Sequence, residues 1–135
     1  MKFSVGLLSW KRTLNIKQIV DEYLLYDDLI DEIIIWNNNP EEFIEFNGEE
    51  YDIVKVINVK SKEDFGLITR FNMGSLSKNQ MIMLHDDDLL FTEESLITLR
   101  DSWMKETDCF HTFFRRSPNP DGTYSKNISD GKDEI

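Results

Sequence analysis

Met81-Ile82-Met83-Leu84-His85-Asp86-Asp87-Asp88 sets four apolar residues directly against a run of three carboxylates. A short apolar run that stops this abruptly reads as a buried strand, Met81–Leu84, delivering charged groups to the rim of a sheet. A second run of the same kind is Glu32–Trp36, with Ile33-Ile34-Ile35-Trp36 continuous. It stops at Asn37-Asn38-Asn39-Pro40, a strong loop signal. Runs that are apolar on both sides suit strands covered on both faces.

The segments around these two strands alternate in period. Phe3–Leu8 is a β-prone run ending in the polar turn Ser9-Trp10-Lys11-Arg12. Thr13 is the expected N-cap of a helix carrying Ile16, Ile19, Val20, Tyr23 and Leu24 at three- and four-residue spacing. Asp27-Asp28 ends that pattern. Phe43–Tyr51 holds Asn47-Gly48, the signature of a hairpin turn. Ile53–Val59 is a third expected strand. Ser61 is expected to cap a helix reaching Met73, with Phe65, Leu67 and Ile68 turned inward. After the aspartates, Thr92 should cap a helix whose first turn holds Glu93 and Glu94, where negative charge suits the dipole. Leu96, Leu99 and Trp103 form its expected buried stripe. Cys109–Phe114 reads as a last strand, followed by Arg115-Arg116 and a polar tail from Ser117 to Ile135. The order β-α-β-(hairpin)-β-α-β-α-β predicts an α/β fold, a mostly parallel sheet flanked by helices on both faces.

Composition bounds the function. The chain has 135 residues, enough for one small core, and 40% of them are hydrophobic. Its formal net charge is −11 and its pI about 4.5. That balance argues against nucleic acid or an anionic membrane surface as partner, since both call for a basic footprint. Cys109 is the single cysteine, so no intrachain disulfide can form. No signal-peptide pattern opens the chain, and no run of about 18 apolar residues would span a membrane. A soluble cytoplasmic protein is the expectation.

Open parallel sheets bind ligands beyond the carboxyl ends of their strands. Ser9–Arg12, Asn37–Asn39 and His85–Asp88 should all lie along that edge. In an extended chain neighbouring side chains alternate, so Asp86 and Asp88 can face one site while Asp87 points elsewhere. Hard carboxylate oxygens suit magnesium, manganese or calcium, and magnesium-like ions need only one or two of them beside phosphate and water. The alternative is a solvated acidic loop capping the next helix. In so acidic a chain Lys11-Arg12, Arg70 and Arg115-Arg116 are the phosphate contacts on offer. His85 and His111 lack zinc spacing with the cysteine. No glycine-rich phosphate loop is present, and Ser9 has no nucleophile-elbow context. Trp10 and Trp36 could stack on a base, though packing is the commoner fate of tryptophan.

Ser9-Trp10-Lys11-Arg12 after the first strand, Trp36-Asn37-Asn38 ending the second, Arg70, and Asp86-Asp87-Asp88 together resemble the GT-A glycosyltransferases, within them the exostosin-like group. The resemblance spans Phe3 to Arg116 and touches Gly122-Thr123-Tyr124. It implies a Rossmann-like GT-A domain over residues 1–116, the nucleotide-sugar-binding half. Residues 117–135 would be the start of a truncated or absent acceptor-binding part. It implies metal-dependent transfer of a sugar from a nucleotide-sugar, a UDP-sugar first, to a glycan or protein acceptor. Asp88, with Asp86, would hold Mn2+ or Mg2+. Ser9, Arg12, Asn37, Asn38, Arg70, Asp86 and Asp87 would line the donor pocket. The family's asparagine five residues before the arginine is Phe65 here, beside Asp64. No catalytic residue is named by the resemblance. A non-catalytic nucleotide-binding or assembly module is the alternative. A receiver-type phosphotransfer domain ranks below both, because Ser9 and Trp10 stand where it needs an aspartate. Apolar surface left by a missing acceptor half would drive homo-oligomerisation.

Overall fold

The computed structural model describes residues 1–45, 55–113 and 119–123, with backbone alone at 55 and 56. Four strands, β1 (Phe3–Ser9), β2 (Ile30–Asn37), β3 (Lys55–Lys60) and β4 (Ile82–Asp86), form one sheet in the order β3-β2-β1-β4. Every pairing is parallel. Three helices accompany them: α1 (Thr13–Tyr23), α2 (Thr69–Leu76) and α3 (Glu93–Lys105). The α/β parallel architecture expected from the alternating pattern is therefore present. No helix among the described residues is long and apolar enough to cross a membrane.

The register sorts side chains onto two faces. Gly6 lies beside Ile34 and Leu84, and Leu8 beside Trp36 and Asp86. Leu8 and Ile34 pack with Met73 of α2 in one apolar cluster bordered by Trp36, Ile57, Ile82 and Leu84. On the other face Leu7 lies beside Ile35 and His85, and the His85 ring meets Tyr23 of α1 edge-on. Ile16, Ile19, Val20 and Tyr23, the stripe read from spacing, are all buried. Each sheet face is thus covered by one of the first two helices, so β1 and β2 are buried along nearly their whole length.

Several sequence expectations change. The helix over 61–73 begins only at Thr69, after a 3-10 turn at Gly66–Ile68. Its buried face is Thr69 and Met73, one turn apart, so Phe65, Leu67 and Ile68 are exposed and not inward. Apolar identity did not fix the face; the start of the helix did. Ser61 is no cap, because its hydroxyl accepts from the Trp36 indole and donates to Asn38. Thr13 is the first helical residue of α1 and Arg12 takes the capping position, with no side-chain cap bond. Thr92 does cap α3, its Oγ1 accepting the Ser95 N–H at 3.3 Å. In the stripe of α3 Leu96 is buried, while Leu99 and Trp103 are half-buried.

The expected strand Cys109–Phe114 does not form over its described part. Residues 107–109 turn, Cys109 is exposed and Phe110 is 98% exposed. The Asn47-Gly48 hairpin, Ile53-Val54, Arg115-Arg116, Tyr124 and the boundary at 116–117 lie outside the described residues. By contact the chain divides into two compact units, Met1–Ile97 and Thr98–Ile135. The first holds the whole sheet and the site described next.

Candidate functional site

Strand order creates the site. From β1 the chain moves outward to β2 and β3, then returns to place β4 on the other side of β1. The loops after β1 and β4 therefore diverge and leave a crevice at the carboxyl edge, the position where such sheets bind ligands. A cavity of about 310 Å³ lies there. Leu8, Ser9, Trp10 and Arg12 line it from β1, Asp86–Asp88 from β4, and Asn38, Asp64, Gly66 and Leu67 from the adjoining loops.

The three aspartates have different environments. Asp86, at the end of β4, points to the α2 face and its Oδ1 accepts from Arg70 Nη2 at 2.6 Å. Asp87 lies on the opposite face and is 5% exposed. Its carboxylate accepts from the Trp10 backbone N–H (3.2 Å) and from Arg12 Nη1 (2.9 Å), while its carbonyl accepts from the Asn15 amide (2.9 Å). Asp88 is half-exposed, with Arg12 Nη1 3.1 Å from its Oδ2. Asp86 and Asp88 thus keep open sides, while Asp87 is built into the fold and ties β4 to the turn after β1. The hydrogen bond from Arg12 to Asp87, then the charges of Asp87 and Asp88, hold the Arg12 guanidinium above its ordinary pKa. Three carboxylates meet two guanidinia, which leaves negative charge uncompensated at the mouth of the cavity.

Two buried polar atoms beside this cluster have no partner among the described residues. They are the Ser9 hydroxyl, on a fully buried residue lining the cavity, and Nε of Arg70. An unsatisfied buried polar group costs about 1–3 kcal/mol. Of the two residues, Ser9 lines the cavity, where an ordered water or a ligand would satisfy such a group.

The two asparagines after β2 behave differently from Ser9. Asn37 is buried and does not line the cavity; its amide donates to the Glu42 carbonyl and its oxygen accepts the Asn39 N–H. Asn38 lines the cavity, but its Nδ2 donates to Gly66 O (2.8 Å) and Thr69 Oγ1 (3.2 Å), and its oxygen accepts from Ser61. Both shape loops. Asn38 fixes the Gly66 turn, where φ of +68° favours glycine and lets Asp64 and Leu67 form the rim. Sequence reading missed that rim, and also Asn15. A glycine inside an expected helix was the available signal.

Under the triplet sits a Tyr23–His85 pair. Tyr23 Oη is 3.0 Å from His85 Nε2 and accepts the Phe91 N–H at 3.3 Å. The second ring nitrogen, Nδ1, lies 2.9 Å from the Asp86 carbonyl, an acceptor, so Nδ1 carries the proton and Nε2 accepts from tyrosine. Burial pushes the His85 pKa down, against the pull of the Asp86 carbonyl and the nearby carboxylates, and keeps the ring neutral. Burial also holds the Tyr23 hydroxyl well above its ordinary pKa. His85 thereby anchors the backbone that carries the aspartates. Tyr23→Phe removes the donor to the imidazole nitrogen. It is expected to cost about 1–3 kcal/mol in urea unfolding. An unchanged midpoint would show that the pair is not an anchor.

Among the described residues no three His, Cys, Asp or Glu side chains are grouped to hold a metal by themselves. The donor set fits a hard cation that arrives with phosphate, since Asp86 and Asp88 offer two open carboxylates. No known family's sequence profile matches the chain, and no curated protein is significantly similar to it.

Proposed function

We propose that Met1–Ile97 binds a nucleotide-sugar, with a UDP-sugar the first candidate, as the donor half of a metal-dependent glycosyltransferase acting on a glycan or protein acceptor. The observation that carries this reading is the crevice between β1 and β4. There an open pair of carboxylates, Arg12 and a buried serine hydroxyl without a partner among the described residues come together, and Arg70 holds Asp86 from α2. A diphosphate matches that set: its oxygens can accept from Ser9 Oγ, Arg12 and Arg70. Asp86 and Asp88 would hold Mn2+ or Mg2+, which when bound offsets the charge gained by the departing diphosphate. Leu8, Trp10 and Leu67 supply apolar wall for a base or sugar ring. Asp87, Asn37 and Asn38 position these groups through the hydrogen bonds they make within the fold.

Calorimetry with UDP tests the reading. Binding should require Mn2+, and Asp88→Ala should weaken it by about 10–100-fold, the usual scale for damage to a metal site. Equal binding by wild type and Asp88→Ala, or none by either, defeats it. Mass spectrometry of products from UDP- and GDP-sugars then separates a transferase from a binding module: donor binding without transfer or hydrolysis indicates the module.

A further inference from the structure

Each arginine at the crevice is held by the groups that a metal ion would need. Arg12 Nη1 lies between Asp87 and Asp88, at 2.9 and 3.1 Å, and Arg70 Nη2 lies 2.6 Å from Asp86. A cation approaching alone must compete with a guanidinium for each open carboxylate. An anion approaching alone must compete with a carboxylate for each guanidinium. Neither competition exists when both arrive together, because the cation takes the carboxylates and the anion takes the arginines. The Ser9 hydroxyl, fully buried, lining the cavity and without a partner among the described residues, points independently to a ligand with acceptor oxygens.

We propose that Arg12 and Arg70 are internal counter-ions that gate the site, suppressing the binding of a divalent cation or a diphosphate alone and admitting the two together. This deepens the donor-site reading and rests on it for location. Its physical basis is a coupling free energy, which must be reciprocal: the cation raises diphosphate affinity by the same factor that the diphosphate raises cation affinity. On this basis both arginine variants gain affinity for the cation alone and lose affinity for the complex. Removing a basic residue ordinarily affects a cation only through long-range charge. Here it vacates a ligand.

The test uses Mn2+, inorganic pyrophosphate and their complex, so that no nucleotide is needed. Free Mn2+ is followed by electron paramagnetic resonance and the anions by calorimetry, on the full chain. Wild type should bind the complex at least about tenfold tighter than either component, a coupling of ordinary allosteric size. Arg12→Gln should bind Mn2+ alone about 1.5–5-fold tighter than wild type and the complex more weakly, the range expected for loss of a partly exposed ion pair. Arg12 also supports Asp87, so Arg70→Gln on α2 provides a second variant outside that network, and it should change both affinities in the same directions. Asp88→Asn should weaken Mn2+ and the complex alike. The inference is overturned if both arginine variants leave Mn2+ affinity unchanged or lower it. It is also overturned if wild type binds pyrophosphate alone as tightly as the complex, or binds neither Mn2+ nor the complex. Its failure is separable from that of the donor reading. Gated binding of Mn2+ and pyrophosphate with no gain from a nucleoside overturns only the nucleotide-sugar reading. Mn2+-dependent UDP binding with unaltered Mn2+ affinity in both variants overturns only the gate.

Discussion

Gly6→Val is expected to destabilise the sheet-bearing unit by about 3 kcal/mol, the upper part of the usual range for over-packing a filled core. Gly6 sits in β1, between Ile34 of β2 and Leu84 of β4, on the face covered by α2. A Cβ there would come 2.6 Å from Leu84 Cδ2 and 3.3 Å from both Sδ and Cε of Met73. Both neighbours are flexible tips, so a single methyl can be accommodated. Gly6→Ala is therefore expected to change stability by about 1 kcal/mol at most, the lost contacts being set against reduced freedom of the unfolded chain. Valine adds two branches where Met73 already fills the space, and must push α2 off the sheet. The intrinsic preference of valine for strands, within about 1 kcal/mol, does not offset this. Urea unfolding followed by circular dichroism should rank wild type and Gly6→Ala together and Gly6→Val well below. Similar midpoints for all three would mean that α2 does not depend on the close approach.

That close approach was not legible in the sequence, and the reason generalises to the rest of the chain. The period-2 and continuous apolar runs identified all four strands, because a buried strand must be apolar whatever lies above it. The stripe of α1 was legible for the same reason: four apolar residues at helical spacing leave one face to bury. The helix before β4 was not, since Phe65, Leu67, Ile68 and Phe71 are as apolar as Met73 yet exposed. Only the bonds from Asn38 to Gly66 and Thr69 decide where that helix begins, and they join residues about thirty apart. Cys109–Phe114 failed in the opposite sense, a β-prone run that forms no strand over its described residues.

The edge of the sheet was legible from topology. Placing Ser9–Arg12 and Asp86–Asp88 together needed only strand assignments and right-handed crossovers. The alternation of a strand does not extend through the triplet: β4 ends at Asp86, Asp87 and Asp88 turn together onto Arg12, and Asp86 alone pairs with Arg70. What sequence could not say is what Asp87 does when it turns away. Its partners are a backbone N–H and two side chains more than seventy residues distant. Asn37 and Asn38 were read as donor contacts because they end a strand at the right edge. Their amides are engaged with carbonyls of neighbouring loops, and of the two only Asn38 lines the cavity.

Asp87→Ala should therefore damage the fold first and the site second, while Asp88→Ala should do the reverse. Removing the Asp87 carboxylate leaves the Trp10 N–H without its side-chain acceptor and Arg12 without its shorter ion pair. The carboxylate that is lost is itself buried and accepts from both, and removing a hydrogen-bonded charged acceptor of this kind costs about 1.5–3 kcal/mol. Loss of about 2–3 kcal/mol in urea unfolding is the expected result. The turn from β1 into α1 should also loosen, visible as faster amide exchange at Trp10 and Asn15. Asp88 is half-exposed and its ion pair is of the surface kind, so Asp88→Ala should stay within about 0.5–1 kcal/mol of wild type. The two variants then separate stability from binding. Asp88→Ala keeps its unfolding midpoint and loses Mn2+-dependent UDP binding. Asp87→Ala loses stability, and below its unfolding transition should retain part of that binding, because Asp86 and Asp88 remain. Asp87→Asn is the finer probe: its amide oxygen can still accept the Trp10 N–H, so it should recover much of the stability while losing the charge that holds Arg12. If Asp87→Ala proves as stable as wild type and loses binding as completely as Asp88→Ala, then the buried aspartate is a ligand and not a strut, and the division of labour within the triplet is wrong.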